Sequence, residues 1–573
     1  MTSSKNPKPD GNKPAQQKKD RAAEIANAFE WLITAFILAF VFRAFVMEAF
    51  RIPTGSMADT LMGAHFRLRC PECGYKYEYG FVPTSPLYNL PEDTIPAGPV
   101  EIRQQTRCPN CGYVTPTTDV IPVANGDRIL VLKCIYQFKD PRRWDVVVFK
   151  NPINPSENYI KRLIGLPGDT IEIIDGDVYI DGQIARKPGE VQKELWMPVY
   201  NHDYQPVNPN QRGAFNGERW QAPFDFGTSD WAIDPANATH LVLDSPSEKV
   251  NTMTYGALSA NGFNIAYAYN DLHSYLRKPE CSDLMVSFYL QTGIRSEGQI
   301  GIALDKKGVT YKARLDFSGQ MVLSKVSEGQ ETILKRKDVD VPPPGVFTLV
   351  KFANVDHQLL FECNGNRLSE DLGRSVDAKE QGTELSPRAA IFGSGRLTLS
   401  HVAVFRDIYY TGDGQASRSA RAVEGSPFTL QKDEFFVLGD NSPNSEDGRW
   451  WYEPTVACRG WEPPRAGIVP RYYMVGKALF VYWPSGFEFP WPQAVKTFFL
   501  QKARNPLMRL ANGIVSLRWI PNVGRTRFIH GGTRDSTSPV PRETPKSDVK
   551  TQASEPQSPN QKWEIDPVSS SRS

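Results

Sequence analysis

Apolar and polar positions are arranged along this chain in three ways. Near the N-terminus, Trp31 to Phe42 is apolar throughout apart from Thr34, and Phe29, Ala44 to Met47 and Phe50 extend the run past Arg43 and Glu48. With those flanks it reaches the ~20 residues that a membrane-spanning helix needs. A helix packed in a soluble core would carry a polar face, and this one carries none. A cleavable export signal would end in small residues, and Phe45-Val-Met-Glu-Ala-Phe50 does not. The pattern predicts an uncleaved spanning helix over 25–50.

Farther on the period is two. Tyr159, Lys161 and Leu163 share one face of a predicted strand. The same alternation recurs in Leu284 to Leu290, Gly301 to Leu304, Tyr311 to Asp316, Thr348 to Phe352, Leu359 to Glu362 and Arg396 to Phe405, with turn residues such as Asn364-Gly365 between them. Many short strands at this spacing predict an all-β sandwich. The earlier stretch from Gln205 to Ala238 is rich in Asn, Pro, Gly and Asp and is expected to wrap that sandwich as loops. Residues 494–529 carry basic residues with apolar spacers, and an amphipathic helix is expected at 493–516. From Gly531 the chain is Ser, Thr, Pro, Lys and Glu without period, which predicts disorder.

Two residues carry candidate chemistry. Ser56 stands in a Gly55-Ser56-Met57 turn just after the apolar run, and Lys161 stands in the largely apolar strand pattern of Tyr159-Ile-Lys-Arg-Leu-Ile-Gly165. A serine hydroxyl is a poor nucleophile until a base takes its proton. A lysine amine can be that base only if burial holds it neutral near working pH. Each residue alone is unremarkable, since Gly-Ser turns and strand lysines are common.

The blocks around them resemble the bacterial type I signal peptidase family of Ser-Lys endopeptidases. Phe50-Arg-Ile-Pro-Thr-Gly-Ser56-Met57-Ala-Asp-Thr-Leu61 is similar to the family's serine block. Gly126 to Phe138 with Pro141 to Pro152, then Tyr159 to Asp169, are similar to its strand and lysine blocks. Phe435 to Arg449, with Gly439-Asp440-Asn441, and Tyr472 to Ala478 are similar to its last two. The resemblance implies Ser56 as nucleophile and Lys161 as general base. It implies Thr54, with the Ser56 N–H, as oxyanion donors, and Ser445 as the hydroxyl that orients the lysine. Asp447 and Arg449 would form a structural ion pair, and Asp440 and Asn441 a supporting turn. It also implies no cofactor for catalysis, an acyl-enzyme, and preference for Ala-X-Ala before the cut. The family usually has proline where Asp59 stands and serine where Gly448 stands.

Charge sets the orientation. Lys5, Lys8, Lys13, Lys18, Lys19 and Arg21 outweigh Asp10, Asp20 and Glu24 before the apolar run, so the N-terminus is expected inside and everything after residue 50 on the outer face of a bacterial cytoplasmic (inner) membrane. The bilayer and the signal peptides of exported precursors are then the expected partners. A net charge of only +2 over 573 residues argues against a nucleic-acid partner.

Two segments exceed what the family resemblance covers. Cys70-Pro-Glu-Cys73-Gly and Cys108-Pro-Asn-Cys111-Gly have zinc-ribbon spacing, each followed by glycine and tyrosine. A structural zinc is favoured, with two disulfides as the alternative in an oxidising compartment. Cys134, Cys281, Cys363 and Cys458 stand apart and are expected buried and inert. His240, His273, His357 and His401 have no ligand spacing. The sandwich segment weakly resembles concanavalin-like jelly rolls and is read as a recognition or spacer domain for a glycan or protein ligand. Trp196, Trp220 and Trp231 are expected to anchor linkers or core.

The resulting fold class is mainly β: a transmembrane helix, a signal-peptidase β core, a CxxC/CxxC ribbon and a jelly-roll-like insertion. The expected domains are a basic cytoplasmic tail (1–24), a signal anchor (25–50) and a discontinuous catalytic domain (51–195 and 431–485). A ribbon (68–114) and a sandwich (196–430) are inserted in it, and a C-terminal extension (486–530) and a disordered tail (531–573) follow. The alternative is an inactive membrane-tethered binding module led by the sandwich. A self-cleaving repressor of the related Ser-Lys fold would need a DNA-binding helix-turn-helix and no apolar anchor.

Overall fold

The computed structural model describes residues 21–532 except 92–93, 97, 116–118, 211–214, 216–218, 257–260, 271–278, 294–296, 375–385, 413–419, 453–464 and 485–522. The basic tail before Arg21, His273, Cys458, the helix expected at 493–516 and the tail from Thr533 lie outside the described residues.

The molecule is mainly β. Its apolar N-terminal segment is a helix, Arg21–Val41, continued by a π turn, Phe42–Val46. Ile25–Val46 is long and apolar enough to cross a membrane and is not buried by the rest of the chain. The helix stops four residues before the predicted limit at residue 50. Met47–Arg51 is already a strand, paired with Arg128–Leu132, and Glu48 meets Lys133 at 3.1 Å. A carboxylate with a partner in a sheet has no reason to enter lipid.

The sheet that carries Lys161 has the order Met47–Arg51, Arg128–Leu132, Met474–Trp483, Val146–Lys150, Asn158–Gly165, Glu434–Leu438, Val469–Pro470, and every pairing in it is antiparallel. Alternation sends successive residues to opposite faces. Val146 and Val148 face a core with Ile52, Met57, Leu61 and Ile129, whereas Val147 and Phe149 face one with Leu163, Val437 and Trp451. Lys161 lies opposite Val147 in the ladder, which turns its stem toward packed apolar side chains. A second sheet of four strands covers one end, its long members being Thr170–Ile174 and Asp177–Ile180.

Residues 197–406 supply two further sheets. One centres on Arg396–Arg406, Leu284–Thr292 and Thr348–Val355, the other on Arg388–Ser394, Gln299–Lys306 and Val309–Asp316. Leu284, Val286, Phe288 and Leu290 from the first meet Ile300, Ile302, Leu304 and Ile391 from the second in one core, which also takes Trp231. This is the period-two pattern realised as packed sheets. The loops expected to wrap them divide their allegiance. Tyr204, Phe215 and Trp220 pack instead on the cysteine-bearing ribbon, where Tyr204 meets Tyr75 edge-on at 5.1 Å. The ribbon is too small to cover its own aromatics, and it borrows these three.

The chain end also differs from expectation. Ile529 joins the core of Ile52, Met57 and Ile129, and the Gly532 amide donates to Asp145 Oδ1 at 3.1 Å, although the composition from Gly531 onward predicts disorder.

Candidate active site

The serine turn is built by backbone hydrogen bonds that knot it to the sheet. The Ile52 amide donates to the Asp127 carbonyl (2.8 Å), Asp127 donates to the Met62 carbonyl (2.8 Å), and the Met62 amide donates to the Asp127 carboxylate (2.9 Å). Met57 and Leu61 anchor the turn in the core while Ser56 stays half-buried and Thr54 exposed. Asn441 holds it from across the fold: its amide donates to the Ser56 carbonyl at 3.1 Å and its side-chain Nδ2 to the Gly55 carbonyl at 3.0 Å.

Lys161 Nζ donates to Ser56 Oγ at 2.5 Å, bridging 105 positions of sequence. The lysine is 4% exposed. Burial pulls its pKa from 10.5 down to about 8, with Arg449 helping and the Asp447, Glu446 and Asp440 carboxylates opposing. A neutral fraction of the amine is therefore available near neutral pH, at bonding distance from the hydroxyl it would deprotonate.

Asp447 and Arg449 are both fully buried and pair at 2.7 Å. Arg449 also donates to Ser442 Oγ (2.7 Å) and the Thr411 carbonyl (2.6 Å), and Asp447 accepts from the Gly439 amide (2.9 Å). Ser445 is buried nearby. A side chain at Gly439 would run into both the Ser445 hydroxyl and the Ser56 carbonyl, so glycine is needed there. Ser445 Oγ itself has no hydrogen-bond partner among the described residues, because the lysine amine points at Ser56 instead. The departure at Gly448 has a steric cause. A Cβ there would lie 2.7 Å from Phe436 and 2.9 Å from the Gly467 carbonyl, leaving no room for serine. Asp59 lines a cavity of about 240 Å³ between the ribbon and the sandwich, where burial pushes its pKa up to about 6.

Several supporting residues were not visible in the sequence. Arg162 makes a two-pronged contact with Asp440 (2.8 and 2.7 Å), completely buried, and also donates to the Trp144 carbonyl. Asn270, Tyr269 and Tyr267 come from the insertion. Asn270 exchanges two amide hydrogen bonds with Asn441 (2.9 and 2.8 Å) and accepts one from Asn444 (2.8 Å). Tyr267 donates to the Asp440 carbonyl and Tyr269 to the Ala64 carbonyl, the Tyr269 ring lying against Gly55. The partners are far apart in sequence, and no local pattern in the segment points to them.

Cys70, Cys73, Cys108 and Cys111 converge, their four sulfurs all within 4.8 Å of one another. Cys281 and Cys363 are buried alone, and Cys134 is half-buried. His240, His357 and His401 each face an acid or a phenol rather than one another.

A half-buried serine hydroxyl thus lies against a buried lysine amine carried on an inner strand of an antiparallel sheet, a class of site in which the amine can activate the hydroxyl as a nucleophile. Comparison with known proteins narrows the class. Residues 114–215 and 372–483 match the family described as signal peptidase, peptidase S26, a span that includes Lys161 and the Gly439-Asp440-Asn441 block but not Ser56. Signal peptidase I of Rickettsia canadensis (strain McKiel) is 33% identical over 162 residues, 28% of this chain and 45% of that protein. Signal peptidase I of Rickettsia akari (strain Hartford) is 32% identical over 160 residues, 27% of this chain and 44% of that protein. These parts of the chain are thus similar to the type I signal peptidases, and the chain spans under half the length of these curated relatives. Among solved structures, the carbohydrate binding module CBM66 from Bacillus subtilis aligns at 12% identity and a TM-score of 0.20, over 32% of this chain and 93% of its own. That likeness is too weak to carry an argument.

Proposed function

We propose that this protein is a membrane-bound serine endopeptidase that removes N-terminal signal peptides from exported precursors. The observation that carries the reading is the 2.5 Å contact from Lys161 Nζ to Ser56 Oγ, with the amine buried. Ser56 Oγ attacks the scissile carbonyl carbon while the neutral Lys161 amine takes the hydroxyl proton. The oxyanion rests on the Ser56 N–H and the Thr54 hydroxyl. The carbon–nitrogen bond then breaks, and the Lys161 ammonium returns its proton to the leaving amine of the mature protein. The signal peptide is left as an ester on Ser56. Lys161 next deprotonates a water that attacks the ester, releasing a carboxylic acid and restoring the serine.

Arg449 and Asp447 hold the Gly439–Asn441 turn, and Asn441 in turn holds the nucleophile. Ser445, buried beside this turn, is assigned to steady the amine once Ser56 Oγ is acylated and no longer needs it. Ile25–Val46 anchors the chain in a bacterial cytoplasmic membrane with the catalytic sheet on the outer face, where a precursor presents its cleavage site. The lipid bilayer and the signal peptide are its partners. The alternative of an inactive binding module is disfavoured by the intact serine-lysine contact.

The test is processing of a precursor with an Ala-X-Ala cleavage sequence by the purified, detergent-held protein. Ser56→Ala and Lys161→Met are each expected to reduce processing by about 10³-fold or more, with circular dichroism unchanged. Cleavage near the unsubstituted rate by either variant refutes the reading.

A further inference from the structure

The ribbon does more than decorate the catalytic sheet. It runs from His65–Arg69 through Lys76–Gly80 and returns by Val120–Ala124, with a small two-stranded piece, Thr106–Arg107 and Val114–Thr115, between. Its two CxxC turns are built alike. Cys70 accepts from Gly74 at its carbonyl (2.9 Å) and donates to the Tyr75 carbonyl (2.9 Å). Cys108 does the same with Gly112 (3.1 Å) and Tyr113 (2.8 Å). Gly74 and Gly112 both take a left-handed backbone, at φ +75° and +78°. Two matched turns, 35 and more positions apart, face each other with their thiols inward.

The spacing of the sulfurs discriminates between a metal and disulfides. Cys70 Sγ lies 3.6 Å from Cys111 Sγ, and Cys73 Sγ lies 3.6 Å from Cys108 Sγ. A tetrahedral zinc with Zn–S bonds of about 2.3 Å sets its sulfurs about 3.8 Å apart. A disulfide requires about 2.05 Å. The Cys73 amide points at Cys70 Sγ (3.5 Å), the kind of donor that stabilises a thiolate. The ribbon's short strands bury only a small cluster around Phe66, Tyr77, Tyr79 and Phe81, and small scaffolds of this kind need a staple.

What the staple would hold is next to the nucleophile. Immediately after Gly80, Phe81 to Thr84 forms, with Ile95, one wall of an apolar cavity of about 90 Å³ whose opposite wall is Pro53, Thr54 and Gly55. Phe81 belongs to the same buried cluster as all four cysteines.

We propose that Cys70, Cys73, Cys108 and Cys111 bind a zinc ion as thiolates, and that this ion holds the ribbon wall of the groove beside Thr54 and Gly55. The metal takes no part in bond breaking. The first half stands independently of the peptidase reading, and the second rests on it.

Full-length protein is purified in detergent without chelator in three forms: unsubstituted, Ser56→Ala, and Cys108→Ser with Cys111→Ser. Metal analysis is expected to find about one zinc per chain in the first two and almost none in the third. The Ser56→Ala form separates this result from any failure of the peptidase reading. Zinc no higher in the unsubstituted protein than in the cysteine variant overturns the site, as does an intact mass lower by four hydrogens, the signature of two disulfides. Zinc is then stripped from the unsubstituted protein and restored. The expected outcome is a KM for the precursor raised about five-fold or more by stripping, with kcat within about two-fold, and recovery on adding zinc. A KM unmoved by loss of the metal overturns the role in the groove.

Discussion

At the scale of single residues, the chemistry depends on where one proton sits. Lys161 is buried among apolar side chains, and that burial outweighs the nearby carboxylates, bringing its pKa down to about 8. The sign for activity is direct: the base works when neutral, so kcat/KM for an uncharged-site precursor should climb as pH rises through about 8. A profile from pH 6 to 10 measures this, and a rate flat across that range contradicts a buried lysine base. The sign for stability follows from linkage. The unfolded chain holds the proton up to the ordinary value of 10.5, so between about pH 8 and 10.5 it binds more protons than the folded chain. Lys161's contribution to stability therefore rises with pH across that window, and its cost is fully present below it.

At the scale of elements, the informative piece is the segment Asn261 to Asn270, which leaves the sandwich core at Phe263 and runs beneath the serine turn. Its final residue, Asn270, touches Asn441 and Asn444 and reaches the nucleophile only through Asn441. It is a positioning residue. Asn270→Ala leaves the Asn441 amide with unmet hydrogen bonds, at a cost of about 1–3 kcal/mol. If part of that is felt as misplacement of Ser56, kcat should fall about ten-fold with KM nearly unchanged. Asn270→Asp, which keeps one acceptor, should recover part of the loss. A variant with ordinary kcat and lowered thermal stability would mean the contact is structural only.

At the scale of the whole molecule, the insertion is locked by buried charge to the sheets it interrupts. Lys187, beside the second small sheet, pairs with Asp356 and, at 2.8 Å, with Asp407; Lys306 pairs with Asp283 and approaches Asp177 at 3.9 Å. The four carboxylates lie close enough together to suggest a cation site, but two ammonium groups already occupy the cluster, each paired with two of them. Breaking such a pair by removing one partner leaves an uncompensated buried charge. The Thr411 carbonyl also receives Arg449, and Arg421 donates to the Trp451 carbonyl. The segment is therefore not a detachable spacer. Replacing 196–430 by a short linker should abolish precursor processing, because it removes Tyr267, Asn270 and Thr411 from the catalytic turn. Retained processing by that shortened chain, read on the same precursor, would mean that the sheets alone hold the site.

Much of the fold is written locally. The apolar run, the period-two strands, the Gly-Ser-Met turn, the strand lysine and the paired CxxC turns are short-range patterns, and each follows from backbone geometry and burial within a few residues. The order of the blocks singles out Ser56 and Lys161, and the fold brings these two side chains into contact. What only the tertiary structure decided are relations across long stretches of chain. Arg162 meets Asp440 over 278 positions and Asn270 meets Asn441 over 171. Tyr204, Phe215 and Trp220 cover the ribbon rather than the sandwich, and the helix yields to a strand at Met47, where Glu48 pairs with Lys133. Side-chain type and local period carry no information about which distant partner will satisfy a buried polar group. That choice is made when the sheets close and water is excluded.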